Sequence, residues 1–158
     1  MPTFRPVTLD ELALAPIHVH VESTIPAPRQ RVFDLFTGDP ARWGDFLAAL
    51  DHNGRWLSGD GGVGSVRRIG RGSIGFTETI LASDDGKRWT FRVDEATLPL
   101  AKALIEDYAF EDAGDGCLLR WTGAVWPIGP VGLARPALTA GLGLLVRNLA
   151  KGVERAAA

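Results

Sequence analysis

The apolar positions of this chain change their period twice. Ile17, Val19, Val21 and Ile25 lie on one side of an alternating run, with His18, His20, Glu22 and Thr24 on the other. A period of two with one apolar face predicts a half-buried strand. Pro26 to Pro28 interrupts it, and Val32, Phe33, Leu35 and Phe36 then fill a short helix that Gly38 stops. Asp39-Pro40 has the form of a second helix start, with Asp39 as N-cap and Pro40 in the first helical position. Trp43, Phe46, Leu47 and Leu50 follow at helical spacing. From His52 the period returns to two, and strands are expected over 55–58, 63–69, 73–82, 88–95, 103–111 and 117–125. The turns between them are the glycine-rich stretch Gly59–Gly64, the hairpin signals Asp84–Gly86 and Gly114–Gly116, and a loop over 96–102 holding Pro99.

The period changes again at the end. Leu138, Leu142, Leu145, Leu149 and Val153 make one stripe of a helix expected over 134–158, with Arg147, Lys151, Glu154 and Arg155 opposite. Each large apolar side chain gains about 1.5–3 kcal/mol on full burial, so this stripe organises the core. The pattern predicts an α+β domain over 17–158, in which a curved, seven-stranded antiparallel sheet wraps a long C-terminal helix and two short helices follow strand 1. A lead-in over 1–16 precedes it, with capping-box spacing from Thr8 to Glu11.

A sheet closed around a helix encloses a hollow. Gly141 and Gly143 cost about 1 kcal/mol each inside a helix relative to Ala, and either let the sheet approach or leave room for a guest. The bulky residues that face the hollow are Trp43, Phe46, Trp56, Phe76, Trp89, Phe91, Tyr108 and Trp121, with Leu142 and Leu145 on the helix. Glu78 is in phase with Ile74, Phe76 and Ile80, and Glu106 with Leu104, Tyr108 and Phe110. A carboxylate facing inward is desolvated, and its pKa rises into the range that suits a general acid or base. A strand shifted by one residue would instead leave each in water, and Arg67 or Arg68 is placed to pair with one.

Charge and composition narrow the partners. The chain has 158 residues and a formal net charge of −2, with no basic field for nucleic acid. Between Trp121 and Val146 the only charge is Arg135, but Pro127, Pro130 and Pro136 interrupt that stretch, so no integral membrane span is expected. Cys117 is the one cysteine, read as inert core in a cytoplasmic protein. His18, His20 and His52 have no cysteine or second histidine pair in support, so no metal is expected. Gly59–Gly64 spells G-x-G-x-x-G but runs into a strand where a dinucleotide site needs a helix, so it reads as a hairpin loop and no cofactor is expected. Arg67, Arg68 and Arg71 read as a solvated cluster or as partners of Asp60.

Several stretches carry a resemblance: Ile25–Pro28 followed by Arg31–Phe36, Asp39–Trp43, Gly62–Arg67, Trp89–Val93, and Gly114–Gly116 leading to Leu119–Thr122. Together with the element order they resemble the START-related (SRPBCC) superfamily with its helix-grip fold, and more narrowly its polyketide cyclase/dehydrase and lipid-transport family. The resemblance implies an apolar or amphipathic small-molecule ligand between sheet and helix; the chain itself is expected as a monomer or homodimer. It carries no shared catalytic signature. The alternatives are a cyclase or dehydratase using Glu78 or Glu106 with Tyr108, and an adaptor that holds a partner's apolar segment in the same groove.

Overall fold

The computed structural model describes residues 1–99 and 101–158. Leu100, in the expected 96–102 loop, lies outside the described residues. Strand β1 (Ile17–Ile25) leads into helix α1 (Arg29–Thr37), a 3₁₀ turn at Pro40–Arg42 and the one-turn helix α2 (Trp43–Phe46). Strands β2 (Arg55–Ser58), β3 (Val66–Ile69), β4 (Phe76–Asp84), β5 (Arg88–Ala96), β6 (Ala103–Ala113) and β7 (Gly116–Trp126) follow, and helix α3 (Val131–Ala157) ends the chain.

The strands form one antiparallel sheet in the order β1-β7-β6-β5-β4-β3-β2. The first two strands therefore sit at opposite edges, and the α1–α2 segment spans the open side between them. Alternation fixes which face is buried: Ile17, Val19, Val21 and Ile25 on β1, and Leu104, Tyr108 and Phe110 on β6, join one core with Leu142, Val146, Leu149 and Val153 of α3. Local chemistry sets the joints. Asp39 accepts from the Ala41 amide at 3.0 Å at the start of the 3₁₀ turn. The tight β4–β5 and β6–β7 turns are met by Gly86 and Gly114, both at positive φ.

Three boundaries move by three residues from the sequence pattern, for identifiable reasons. The strand expected from residue 63 begins at Val66, because the Ser65 hydroxyl accepts from the Asp60 and Gly61 amides and holds the glycine-rich segment as a loop. The strand expected from residue 73 begins at Phe76, after a turn through Gly70 at φ 66°. Helix α3 begins at Val131 rather than at residue 134, so Pro130 is its N-cap and Pro136 stands a turn and a half in without interrupting it. That proline is exposed, and it removes one hydrogen bond from the second turn without ending the helix.

The lead-in folds back onto the sheet. Pairing between β5 and β6 ends at Arg92 and Ile105. Residues 2–5 fill the gap beyond: the Phe4 amide donates to the Asp94 carbonyl at 2.8 Å, the Arg5 amide to the Lys102 carbonyl at 2.7 Å, and the Ala96 amide to the Pro2 carbonyl at 3.1 Å. Phe4 enters the main core, while Val7 and Ala15 cover Ala103, Ile105 and Ala124 on the other face of the sheet. Glu11 reaches back to the Thr8 amide at 2.9 Å, as the capping-box spacing requires.

Candidate functional site

Register brings the polar side chains of the inner face together. Arg67 on β3 stands opposite Glu78 on β4. On the far side of β5, Glu106 is opposite Phe91, and Tyr108 is opposite both Trp89 and Trp121. Gly123 is the β7 partner of Glu106, and a Cβ there would lie 2.5 Å from the Trp121 ring. The missing side chain lets the Trp121 indole lie along its own strand. Its Nε1 then donates to Glu106 Oε2 at 3.0 Å, and the Tyr108 hydroxyl donates to the same oxygen at 2.8 Å.

Arg67 is wholly buried. Its Nε donates to Glu78 Oε2 at 2.7 Å, and its guanidinium carbon lies 4.2 Å from the Trp43 ring centroid, 4.4 Å from that of Trp89 and 5.1 Å from that of Phe91. Both Nη atoms lack an oxygen partner among the described residues, so the aromatic faces are what meets them. Burial pushes the Glu78 carboxyl up to about 7 against the pull of Arg67, and the nearby Glu106 adds to the rise. Burial also raises Glu106, although Trp121, Tyr108 and Arg67 favour its charged form. Tyr108 is raised well above its ordinary value by burial and by Glu106. One fixed positive charge beside two carboxyls is balanced when one carboxyl is ionised and the other holds a proton.

Two spaces adjoin this cluster. An inner cavity of about 30 Å³ is lined by Glu78, Glu106 and Tyr108, by Trp43, Phe76 and Phe91, and by Leu47, Leu50, Ile69, Leu145, Val146 and Leu149. An outer cleft of about 300 Å³ lies between the first half of α3 and the loops flanking β4 and β5, bounded by Ile74, Phe76, Thr97, Leu98, Ala137, Leu138, Gly141, Leu142 and Leu145. Phe76 and Leu145 belong to both walls. A mainly apolar cleft thus ends at a small chamber that holds three polar side chains, with two side chains between them.

The family model described as polyketide cyclase / dehydrase and lipid transport matches residues 16–157. The chain belongs to that family. Among solved structures, Ara h 8.0201 superposes with a TM-score of 0.73 at 17% identity, over 89% of this chain and 97% of that one. The ginseng major latex-like protein 151 from Panax ginseng gives 0.73 at 19% identity, over 89% and 97%. DynU16, a protein of the dynemicin biosynthetic locus, gives 0.65 at 21% identity over 87% of this chain, which spans about half of it (47%). At these identities the likeness is one of fold. No curated protein matches the chain significantly.

Within this member of the polyketide cyclase / dehydrase and lipid transport family, the residues expected at the hollow divide. Trp43, Phe76, Glu78, Phe91, Glu106, Tyr108, Leu142 and Leu145 line the cleft or the inner cavity. Phe46, Trp56, Trp89 and Trp121 do not: Phe46 lies against α3, Trp56 against the glycine-rich loop, Trp89 on Arg67, and Trp121 behind Glu106. The expected solvated arginine cluster is corrected, since Arg67 is core while Arg71 is exposed. The signal was available: Ser65, Arg67 and Ile69 share a strand face, so an inward Ile69 carries Arg67 inward with it. Gly141 borders the cleft, whereas Gly143 is covered by the Arg147 side chain. His18 bonds the Leu12 carbonyl at 2.8 Å, His20 bonds the Thr122 hydroxyl at 3.0 Å, and His52 lies beside Asp45. Cys117 is buried, which pushes its thiol up. Among the described residues, no helix is long and apolar enough to cross a membrane.

Proposed function

We propose that this chain binds an amphipathic small molecule, with its apolar body in the outer cleft and its polar end directed past Phe76 and Leu145 toward Glu78, Glu106 and Tyr108. The observation that carries this reading is the shared wall: a mainly apolar cleft and a chamber that holds two carboxyls and a phenol meet at two side chains. A cleft of about 300 Å³ is at the lower end of small-molecule sites, which are apolar with few polar groups. The family supports a ligand of this class.

The test exploits Gly141, where an added Cβ meets nothing within 4 Å. Gly141→Trp fills the cleft without crowding the core. Binding of the neutral fluorescent probe N-phenyl-1-naphthylamine should weaken at least tenfold, with an unchanged melting temperature. Equal binding by wild type and variant would overturn the reading.

Acid–base catalysis on the guest is the second reading, favoured by two carboxyls and a phenol lining one chamber. It predicts conversion of a bound ligand by the wild type and loss of that conversion in Glu78→Gln or Glu106→Gln while binding persists.

A further inference from the structure

The binding reading leaves open what the guest's inner end must be, and the hydrogen-bond inventory of the chamber narrows it. In both carboxyls the hydrogen bonds among the described residues fall on Oε2: from Arg67 in Glu78, and from Tyr108 and Trp121 in Glu106. Oε1 of each has no protein donor among the described residues, and on the ionised carboxyl it is an acceptor. Of the donors nearby, the Tyr108 hydroxyl and the Trp121 indole both donate to Glu106, while Arg67 Nη1 and Nη2 and Trp89 Nε1 have no partner among the described residues but belong to side chains that do not line the chamber. The ionised carboxyl in the lining therefore offers an acceptor to a guest and asks for a donor.

Charge points the same way. Among the described residues, no Lys, Arg or His lines either the chamber or the cleft. Arg67 is close by, but Glu78 and three aromatic rings enclose its guanidinium. An anionic end entering the chamber would meet the carboxyl that stays ionised, while the one cation beside it lies outside the lining behind Glu78 and the rings, in a region where burial strengthens repulsion. Size adds a limit, because about 30 Å³ takes one hydroxyl-sized group and excludes phosphate or sugar heads.

We propose that the guest's inner end is a hydroxyl, donating to Oε1 of Glu78 or Glu106, and that the site selects against amphiphiles headed by a carboxylate. This inference rests on the binding reading, and the experiment separates the two. Three ten-carbon probes are used to displace N-phenyl-1-naphthylamine at pH 7.5: 1-decanol, its isomer 1-methoxynonane, and decanoate. Apolar partition alone ranks the ether above the alcohol, since the ether lacks a donor to desolvate. Donation to a carboxyl reverses that order.

The expected result is that decanol displaces the probe at a concentration at least tenfold below those needed for the ether and for decanoate. In Glu106→Gln, which keeps the shape and removes a charge, the gap between decanol and decanoate should narrow at least threefold. Ether binding as tight as the alcohol, or decanoate as tight as decanol, overturns the hydroxyl assignment. Where Glu106→Gln does not fold, the wild-type series decides alone. Failure of the fluorescent probe to bind, or its binding unaltered by Gly141→Trp, overturns the cleft itself rather than the head group.

Discussion

The two halves of α3 each carry a glycine that matters, and they use it in opposite ways. At Gly152 a Cβ would fall 1.9 Å from the Phe46 carbonyl oxygen, so α3 touches the α2 backbone directly. At Gly141 the same atom would meet open space in the cleft wall. Leu142, Val146, Leu149 and Val153 are buried on the C-terminal side, while Leu133 and Leu144 stand mostly in solvent. One half of the helix holds the core together, and the other overhangs a cleft it leaves unfilled. A single amphipathic helix can do both because its apolar stripe runs beyond the edge of the core it covers.

The largest effect is expected where that contrast is sharpest. Gly152→Ala gains helix propensity yet drives its methyl into backbone that has no rotamer to yield, so α2 or α3 must move. Overpacking of this kind costs typically 1–3 kcal/mol and occasionally more, and a contact this short belongs at the upper end. Urea unfolding should show a loss of about 3 kcal/mol or failure to fold. A wild-type midpoint would mean that α3 does not rest on α2 as described.

The contrast also shows what the sequence could disclose. The stripe from Leu138 to Val153 reports a buried helix, and the strand alternation reports seven strands in an antiparallel sheet, because burial on one face leaves a period in the residues themselves. Glu78 and Glu106 were legible as inward-facing for the same reason. Gly152 was not, since close approach depends on where the Phe46 carbonyl lies. Arg67 was half legible: phase put it inside, but its charge argued for solvent, and only the facing Glu78 with Trp43, Trp89 and Phe91 reconciles the two. The lead-in gave no sign of its role, because the gap it fills exists only once β5 and β6 diverge.

A middle-sized effect is expected at the boundary between the halves, where Leu145 covers the carboxyl chamber. Glu78 is raised from 4.5 to about 7 in the folded chain, chiefly by burial. The folded state then keeps a proton that the unfolded state releases, so stability from this group is fully present below pH 4.5 and is lost as pH rises through about 7. Glu78→Gln removes the titration while retaining an acceptor for Arg67. Wild-type stability measured relative to Glu78→Gln should therefore fall, by on the order of 2 kcal/mol, between pH 4.5 and 7.5. A difference that is flat or rises with pH would show that Glu78 is ionised throughout.

The smallest effect carries the most information about the open half. Gly141→Ala adds one methyl to a helix position with no neighbour within 4 Å, so nothing in the fold opposes it. Exchanging Gly for Ala inside a helix stabilises by about 0.5–1 kcal/mol, because the unfolded chain loses freedom that Gly would otherwise retain. The melting temperature should rise by a few degrees. The same methyl projects into the cleft wall, where an apolar guest would lie against Leu138, Leu142 and Leu145. Binding of N-phenyl-1-naphthylamine should weaken by a factor of two to five while stability improves, so the two readouts move in opposite directions. A helix whose glycine served packing would lose stability, as expected at Gly152. If Gly141→Ala raises the melting temperature and leaves binding untouched, then the cleft beneath the first half of α3 is not where the probe sits.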